Sequence, residues 1–129
     1  MDEILTPISP GELLDKLTIL TIKLENITDA TKHANVQVEH TLLSKVADAG
    51  IPKSDQITQL HTNLLSVNKQ LWDIEDDICD WERAGNFGAE FIHLARAVYV
   101  TNDKRADLKK QINTALGSQI VEEKSYADY

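Results

Sequence analysis

The sequence has few residues that interrupt secondary structure or form disulfides: its 129 residues include one cysteine, three prolines and five glycines. A single cysteine cannot form a disulfide within the chain, which excludes a disulfide scaffold and favours a reducing compartment. No stretch approaches the ~20 consecutive apolar residues of a membrane-spanning helix. The opening residues Met1–Leu5 lack the basic region of a signal peptide. We therefore predict a cytoplasmic protein that does not associate with a membrane.

Basic charge is also scarce, since 13 Lys+Arg stand against 21 Asp+Glu and the formal net charge is −8. A protein that binds the phosphate backbone needs a basic face, so we predict no nucleic-acid partner. The length suits one domain with a sizeable hydrophobic core. We therefore expect residues 1–129 to form a single domain.

Glycine and proline occur at a few places only, and these places divide the chain into long segments. Ser9 and Pro10 are typical of a helix start, as cap and first helical residue. Gly50, expected in the left-handed conformation, ends that helix, and Ser54 can cap the next. A turn at Gly85–Gly88 separates the second helix from the third. The predicted helices span about residues 10–49, 54–84 and 89–116, followed by a tail over 117–129.

Apolar residues recur at alternating three- and four-residue spacings in the first two segments, which is the pattern of a coiled-coil seam. The first seam runs from Leu13 to Val38. The second is Ile57, Leu60, Leu64, Val67, Leu71, Ile74, Ile78 and Trp81. Because short loops make consecutive helices antiparallel neighbours, we predict an all-α, up-down-up bundle of three long helices with coiled-coil-like packing.

The turns also predict which residues face each other across the bundle. Helices one and two should pair Val38 with Leu64, and helices two and three should bring Leu71 near Asn102. A helix over residues 10–49 would be roughly 60 Å long, against a radius of gyration of about 14 Å for a compact domain of this size. Either this helix breaks near its polar stretch, Thr31–Asn35, or the molecule is a rod.

The first helix carries more apolar residues than one seam can use. Ile19 and Ile22 point away from the seam, and Leu65 and Trp72 form a second stripe beside the seam of helix two. That second stripe suits packing against helix three or an interface. We consider two covers for the surplus face: a second copy of the chain, contacting these four residues, or this chain's own ends. The end residues are Ile4, Leu5, Ile8, Ile120, Val121, Tyr126 and Tyr129.

Carboxylates are dense at two places, and they raise the question of a metal site. Residues 73–82 hold six carboxylates, and Glu12 and Asp15 are spaced three apart. Facing acidic motifs can hold Mg²⁺, but a solvated acidic face is the better interpretation. The single Glu90-x-x-His93 is half of what a di-iron bundle needs. We predict no metal and no cofactor.

The third helix is the least apolar of the three and offers the main candidate binding residues. One interpretation is ion pairing between helices, for example Glu75 with Arg96. The other is a polar pocket for a small anionic ligand. Its candidate residues are Lys23, Glu75, Arg96, Tyr99, Asn102 and Arg105. Neither a catalytic triad nor a glycine-rich phosphate loop is recognisable, which favours a protein that is not an enzyme.

Three stretches of this chain carry a resemblance: Ser9–Leu20 (SPGELLDKLTIL), Leu94–Ala106 (LARAVYVTNDKRA) and Glu122–Tyr126 (EEKSY). Together they resemble a family of small bacterial domains of unknown function. The resemblance covers nearly the whole chain and implies a bacterial or phage-like source but no activity. It adds Lys16 to the candidate binding residues and implies that the tail folds back on the bundle.

These observations favour an interaction or assembly module that forms a homodimer, with a further protein partner possible. The alternative is a protein or enzyme that binds a small anionic ligand or nucleotide between the helices.

Overall fold

A computed structural model describes all 129 residues and contains four helices and no strands. Helix α1 spans Pro10–Asn26, α2 spans Ala30–Gly50, α3 spans Asp55–Ala84 and α4 spans Ala89–Ala115. The predicted all-α class is confirmed. The predicted count of three helices is wrong, because the segment expected to form one helix over residues 10–49 forms two, α1 and α2. None of the four helices is long and apolar enough to cross a membrane.

The break between α1 and α2 lies at residues 27–29, just before the polar stretch Thr31–Asn35 near which it was expected, and it needs neither glycine nor proline. The Asp29 side chain accepts a hydrogen bond from the Lys32 backbone N–H at 2.9 Å and so caps α2. An aspartate that bonds a nearby backbone N–H competes with helix continuation and favours a new helix start. The break excludes the rod.

Helices α1 and α2 form an antiparallel hairpin. His40 Nε2 contacts Thr21 Oγ1 at 3.2 Å, and His33 Nε2 contacts the Leu24 carbonyl oxygen at 3.1 Å. The predicted pairing of Val38 with Leu64 is therefore wrong: α2 folds back on α1, and Val38 is exposed. Gly50 is the last residue of α2 and not left-handed, which corrects a second expectation.

Helix α1 is the centre of the fold, because it packs against α2, α3 and α4. Eight of its 17 residues are buried, whereas α2 buries only Ala47. The main apolar core consists of Leu13, Leu14, Leu17, Ala47, Ile57, Leu60, Leu64 and Ile112. Helix α1 is apolar around most of its circumference, and the three neighbouring helices cover that surface.

Helices α3 and α4 run antiparallel, close to the predicted bounds. Ser54 caps α3 by accepting from the Ile57 N–H at 3.2 Å, and Gly85 ends it at φ 67°, a left-handed conformation that favours glycine. Leu71 and Asn102 line one cleft, as the predicted register requires. The buried residues of α3 are Ile57, Leu60, Leu64, Asn68 and Leu71, so the polar Asn68 takes the place expected for Val67.

The tail over 117–129 lies back along α4 through polar contacts. Lys124 Nζ lies 2.5 Å from Asp103 Oδ1, and the Tyr129 hydroxyl donates to the same carboxylate. That hydrogen bond raises the pKa of Tyr129 to about 12. Of the apolar side chains at the two ends, only Ile8 is half-buried and packs against the core. The others are exposed and do not cover α1: Ile4, Leu5, Ile120, Val121, Tyr126 and Tyr129.

Candidate functional site

A carboxylate lies in the middle of the helix bundle, at Asp15 of α1, with 1% of its surface exposed. Arg105 of α4 holds it with two hydrogen bonds, from Nε to Oδ1 at 2.8 Å and from Nη2 to Oδ2 at 2.5 Å. Asn68 of α3 donates a third, from Nδ2 to Oδ1 at 2.9 Å. This two-pronged pairing is the geometry in which arginine binds a carboxylate most strongly, and it ties three helices together.

Burial and hydrogen bonding act on the Asp15 carboxyl in opposite directions. Burial raises its pKa, whereas the hydrogen bonds from Arg105 and Asn68 and the charges of Arg105 and Lys109 lower it. The lowering contributions win, so the pKa lies below its usual value of 3.8. Asp15 is therefore ionised at neutral pH and paired with a charged Arg105.

The lowered pKa of Asp15 predicts a loss of stability in acid. A carboxyl whose folded-state pKa is below its unfolded-state value stabilises the fold fully above the latter, and that stabilisation disappears as pH falls through the former. The window for Asp15 thus lies below about pH 3.8. We expect urea unfolding midpoints to fall there, and to fall less in Asp15→Asn than in the parent chain. Equal slopes in both proteins would contradict the assignment.

A second polar group joins the start of α1 to the end of α4 and the tail. Gly11 N–H donates to Asn113 Oδ1 at 2.7 Å. Lys109 Nζ lies 2.5 Å from Glu12 and 3.2 Å from Glu122, and Ser9 Oγ donates to Glu122 at 3.0 Å. The resemblance implied a tail folded on the bundle, and Glu122 provides that contact.

One open cleft of about 400 Å³ lies between α1, α3 and α4, beside the Asp15–Arg105 pair. It is lined by Ile19, Ile22, Asn68, Leu71, Trp72, Glu75, Asp76, Asn102 and Arg105. Its volume falls in the range of small-molecule sites, and its mixture of apolar walls with a few polar groups is typical of them. We call it the α1–α3–α4 cleft and take it as the candidate site.

The orientation of the Asn68 amide in this cleft follows from its neighbours. Thr18 Oγ1 donates its proton to the Asp15 backbone oxygen at 2.7 Å, so toward Asn68 it can only accept. The Asp15 carboxylate is also an acceptor. Both neighbours therefore require the amide nitrogen, which leaves Asn68 Oδ1 facing away from them. Asn68 Oδ1 has no partner within the chain and is not sealed from solvent.

The cleft brings together only part of the candidate binding set. Glu75, Asn102 and Arg105 line it, together with Ile19, Ile22 and Trp72, which had been assigned to a dimer interface. Ile22 is 2% exposed, so it has no surface left for a second copy, and Leu65 is half-buried on α3.

The remaining candidate residues lie elsewhere. Tyr99 packs against Tyr129 of the tail with ring centroids 5.0 Å apart. Lys16 is paired with Glu12 at 3.9 Å on an exposed part of α1. Lys23 and Arg96 do not line this cleft. The expected cluster of basic side chains around one anionic ligand is therefore not assembled.

Asp15 and Asn68 are the polar residues whose role the sequence argument missed. Asp15 was weighed only as a magnesium ligand, yet it lies inside the apolar run from Leu13 to Leu20, where a carboxylate needs a buried cation. Asn68 follows Leu64 by four and precedes Leu71 by three, which is a core position. A polar residue at each of two core positions was the available signal.

Comparison with known proteins gives a family but no activity. A family model described as a family of unknown function (DUF6165) matches residues 4–129. No curated protein and no solved structure matches the chain.

Proposed function

The chain belongs to the DUF6165 family of unknown function, and we propose that it acts as an interaction module that assembles as a homodimer through the outer face of α2. The carrying observation is that α2 packs on α1 as its only helix neighbour, so its opposite face has no cover. A cytoplasmic location belongs to the same proposal and is supported by the single cysteine.

The outer face of α2 carries a row of exposed apolar side chains. Val38, Leu42 and Val46 follow each other at four-residue spacing and therefore lie on one side of the helix. They are 62%, 47% and 52% exposed. We call these three residues the α2 stripe. Exposed β-branched and leucine side chains in a row are typical of helix-to-helix contacts.

A second copy suits the α2 stripe better than an unrelated partner. When two such helices pair antiparallel around a twofold axis at Leu42, Val38 of one faces Val46 of the other, so the contact is self-complementary. Helix α2 has two lysines and two acidic residues, and is therefore neutral in a chain of net charge −8. Two acidic molecules can approach each other here with little repulsion.

We expect Leu42→Glu to weaken dimerisation at least about tenfold, because it replaces the central apolar contact with two carboxylates facing each other across the twofold axis. Light scattering after size exclusion should give twice the chain mass for the parent protein at micromolar concentration and the single mass for the variant. Gln37→Glu adds the same charge on the same helix away from the stripe and should remain dimeric. A monomeric parent protein would remove the dimer proposal.

The alternative of an anionic ligand has less support. Its basic candidates are dispersed, and Arg105 is already neutralised by Asp15 at 2.5 Å. Glu75 and Asp76 also add negative charge to the cleft.

A further inference from the structure

We propose that the α1–α3–α4 cleft binds a primary alkylammonium group, with the ammonium donating to Asn68 Oδ1 and the alkyl chain lying along the apolar walls. This goes beyond the dimer and is independent of it, because α2 takes no part in the cleft. The ligand chemistry is opposite in charge to the one expected from the sequence.

The unused acceptor on Asn68 is the starting point. Asn68 is 96% buried, with 4% of its surface exposed, and its nitrogen is committed to Asp15 and Thr18. Because Asn68 lines the cleft and its oxygen is not sealed from solvent, that oxygen is an acceptor that a ligand in the cleft can use. A group placed there must donate a hydrogen bond, and an ammonium brings three donors and no acceptor.

The charges around the cleft select a cation over a neutral donor. Glu75 and Asp76 line it from α3, and both carboxylates are exposed and free of ion pairs. The one basic lining residue, Arg105, has its charge matched by Asp15. The local balance is therefore negative, and an ammonium between Asn68 and the two carboxylates is stabilised by both.

The apolar walls require a hydrocarbon body on that cation. Ile19 is half-buried and offers a surface on which a short alkyl chain is removed from water, while Ile22 and Leu71 line the cleft with little exposed surface. Trp72 adds an aromatic ring, the side chain that attracts organic cations most strongly. A metal ion or free ammonium would leave these walls unused, so an alkylammonium fits best.

Two sources carry this chemistry: a free amine and the side chain of a lysine. Both are tested with simple probes, butylammonium for the free amine and Nα-acetyl-lysine methylamide for the side chain. The probe that binds more tightly identifies the source. 1-Butanol has the same body without the charge and serves as the neutral comparison.

The titration is followed by two-dimensional NMR of the ¹⁵N-labelled full chain, because two side-chain signals report on the cleft directly. The Asn68 amide and the Trp72 indole N–H should shift with butylammonium, whereas the Trp81 indole, outside the cleft, should not. Equal shifts with 1-butanol, or shifts confined to residues elsewhere, would overturn the proposal.

Removing the Glu75 and Asp76 charges that line the cleft tests the contribution of these carboxylates to affinity. We expect Glu75→Gln with Asp76→Asn to weaken butylammonium binding about tenfold, since each exposed carboxylate near a cation contributes about threefold. Asp73→Asn with Asp77→Asn makes the same charge change on exposed positions of α3 outside the cleft and should leave binding unchanged. Equal affinities for both double variants would contradict the site. Leu42→Glu should bind butylammonium normally, which separates this proposal from the dimer.

Discussion

Asp15→Asn is expected to lower the free energy of unfolding by about 3 kcal/mol, which would be among the largest effects of any single substitution in this chain. Breaking one partner of a buried, hydrogen-bonded ion pair costs about 3–5 kcal/mol, because the other charge is left without compensation. The lower end applies here, since the Arg105 side chain is 29% exposed and water can reach part of its charge. Urea unfolding at neutral pH, followed by circular dichroism, measures the difference.

An ion pair on the surface provides the control for Asp15→Asn. Glu25 and Lys69 also join α1 to α3, with their charged atoms 3.7 Å apart, but both side chains are about half exposed. An exposed pair contributes about 0–1 kcal/mol, so Glu25→Gln should change stability very little. If Glu25→Gln and Asp15→Asn cost the same, burial of Asp15 is not what makes its pair important.

Substitution of Arg105 tests the same pair, because it should reverse the direction of the pKa shift of Asp15. In Arg105→Leu the Asp15 carboxyl stays buried but loses its strongest donor and its nearby positive charge. Burial then dominates, and the pKa of Asp15 rises above its unfolded-state value. Stability of this variant relative to the parent should be lost as pH rises through the acid range, and recovered at low pH. A variant with the parent's pH profile would show that Arg105 does not set this pKa.

The elements that sequence reasoning predicted well are those in which local signals and packing agree. Helix α3 begins after Ser54 and ends at Gly85, and both residues act through backbone geometry that depends only on their neighbours. A break in the first predicted helix was one of two alternatives, but the hairpin that folds α2 back on α1 was missed, because its turn contains no glycine or proline. Capping by Asp29 was a local signal of the same kind, but it was not considered, because the first seam was followed across it from Leu13 to Val38.

The candidate site was harder to predict, because its geometry depends on three helices that are far apart in sequence. Arg105 was recognised as a polar residue on a packing face, but its partner Asp15 lies 90 positions away. Tyr99 and Arg96 share its helix and looked equivalent to it. Which of the three reaches the core depends on the rotation of α4 about its axis, and this rotation depends on the packing of buried α4 residues such as Ile112 against helices distant in sequence.

Gly11→Ala is expected to destabilise the chain by about 2–3 kcal/mol, although it adds a single methyl group. A Cβ on Gly11 would lie 2.4 Å from the Lys109 carbonyl oxygen and 2.8 Å from Asn113 Oδ1. The first atom belongs to the backbone of α4, so relief requires moving one helix away from the other. That movement stretches the hydrogen bond from the Gly11 N–H to Asn113 Oδ1 and the ion pair between Lys109 and Glu12. Overpacking of this kind costs about 1–3 kcal/mol.

Gly50→Ala makes the identical chemical change at the end of α2 and should have the opposite sign. A Cβ on Gly50 has no heavy atom within 4 Å, and its backbone is not left-handed. Alanine in a helix is favoured over glycine by up to about 1 kcal/mol, mostly through the lower entropy of the unfolded chain. Thermal unfolding of both variants and of the parent chain separates the cost of overpacking at Gly11 from the general gain of replacing a helical glycine with alanine. If Gly11→Ala were also neutral or stabilising, α1 and α4 could not be packed as closely as their contact at Gly11 requires, and the pairing of Asp15 with Arg105 further along the same two helices would lose its support.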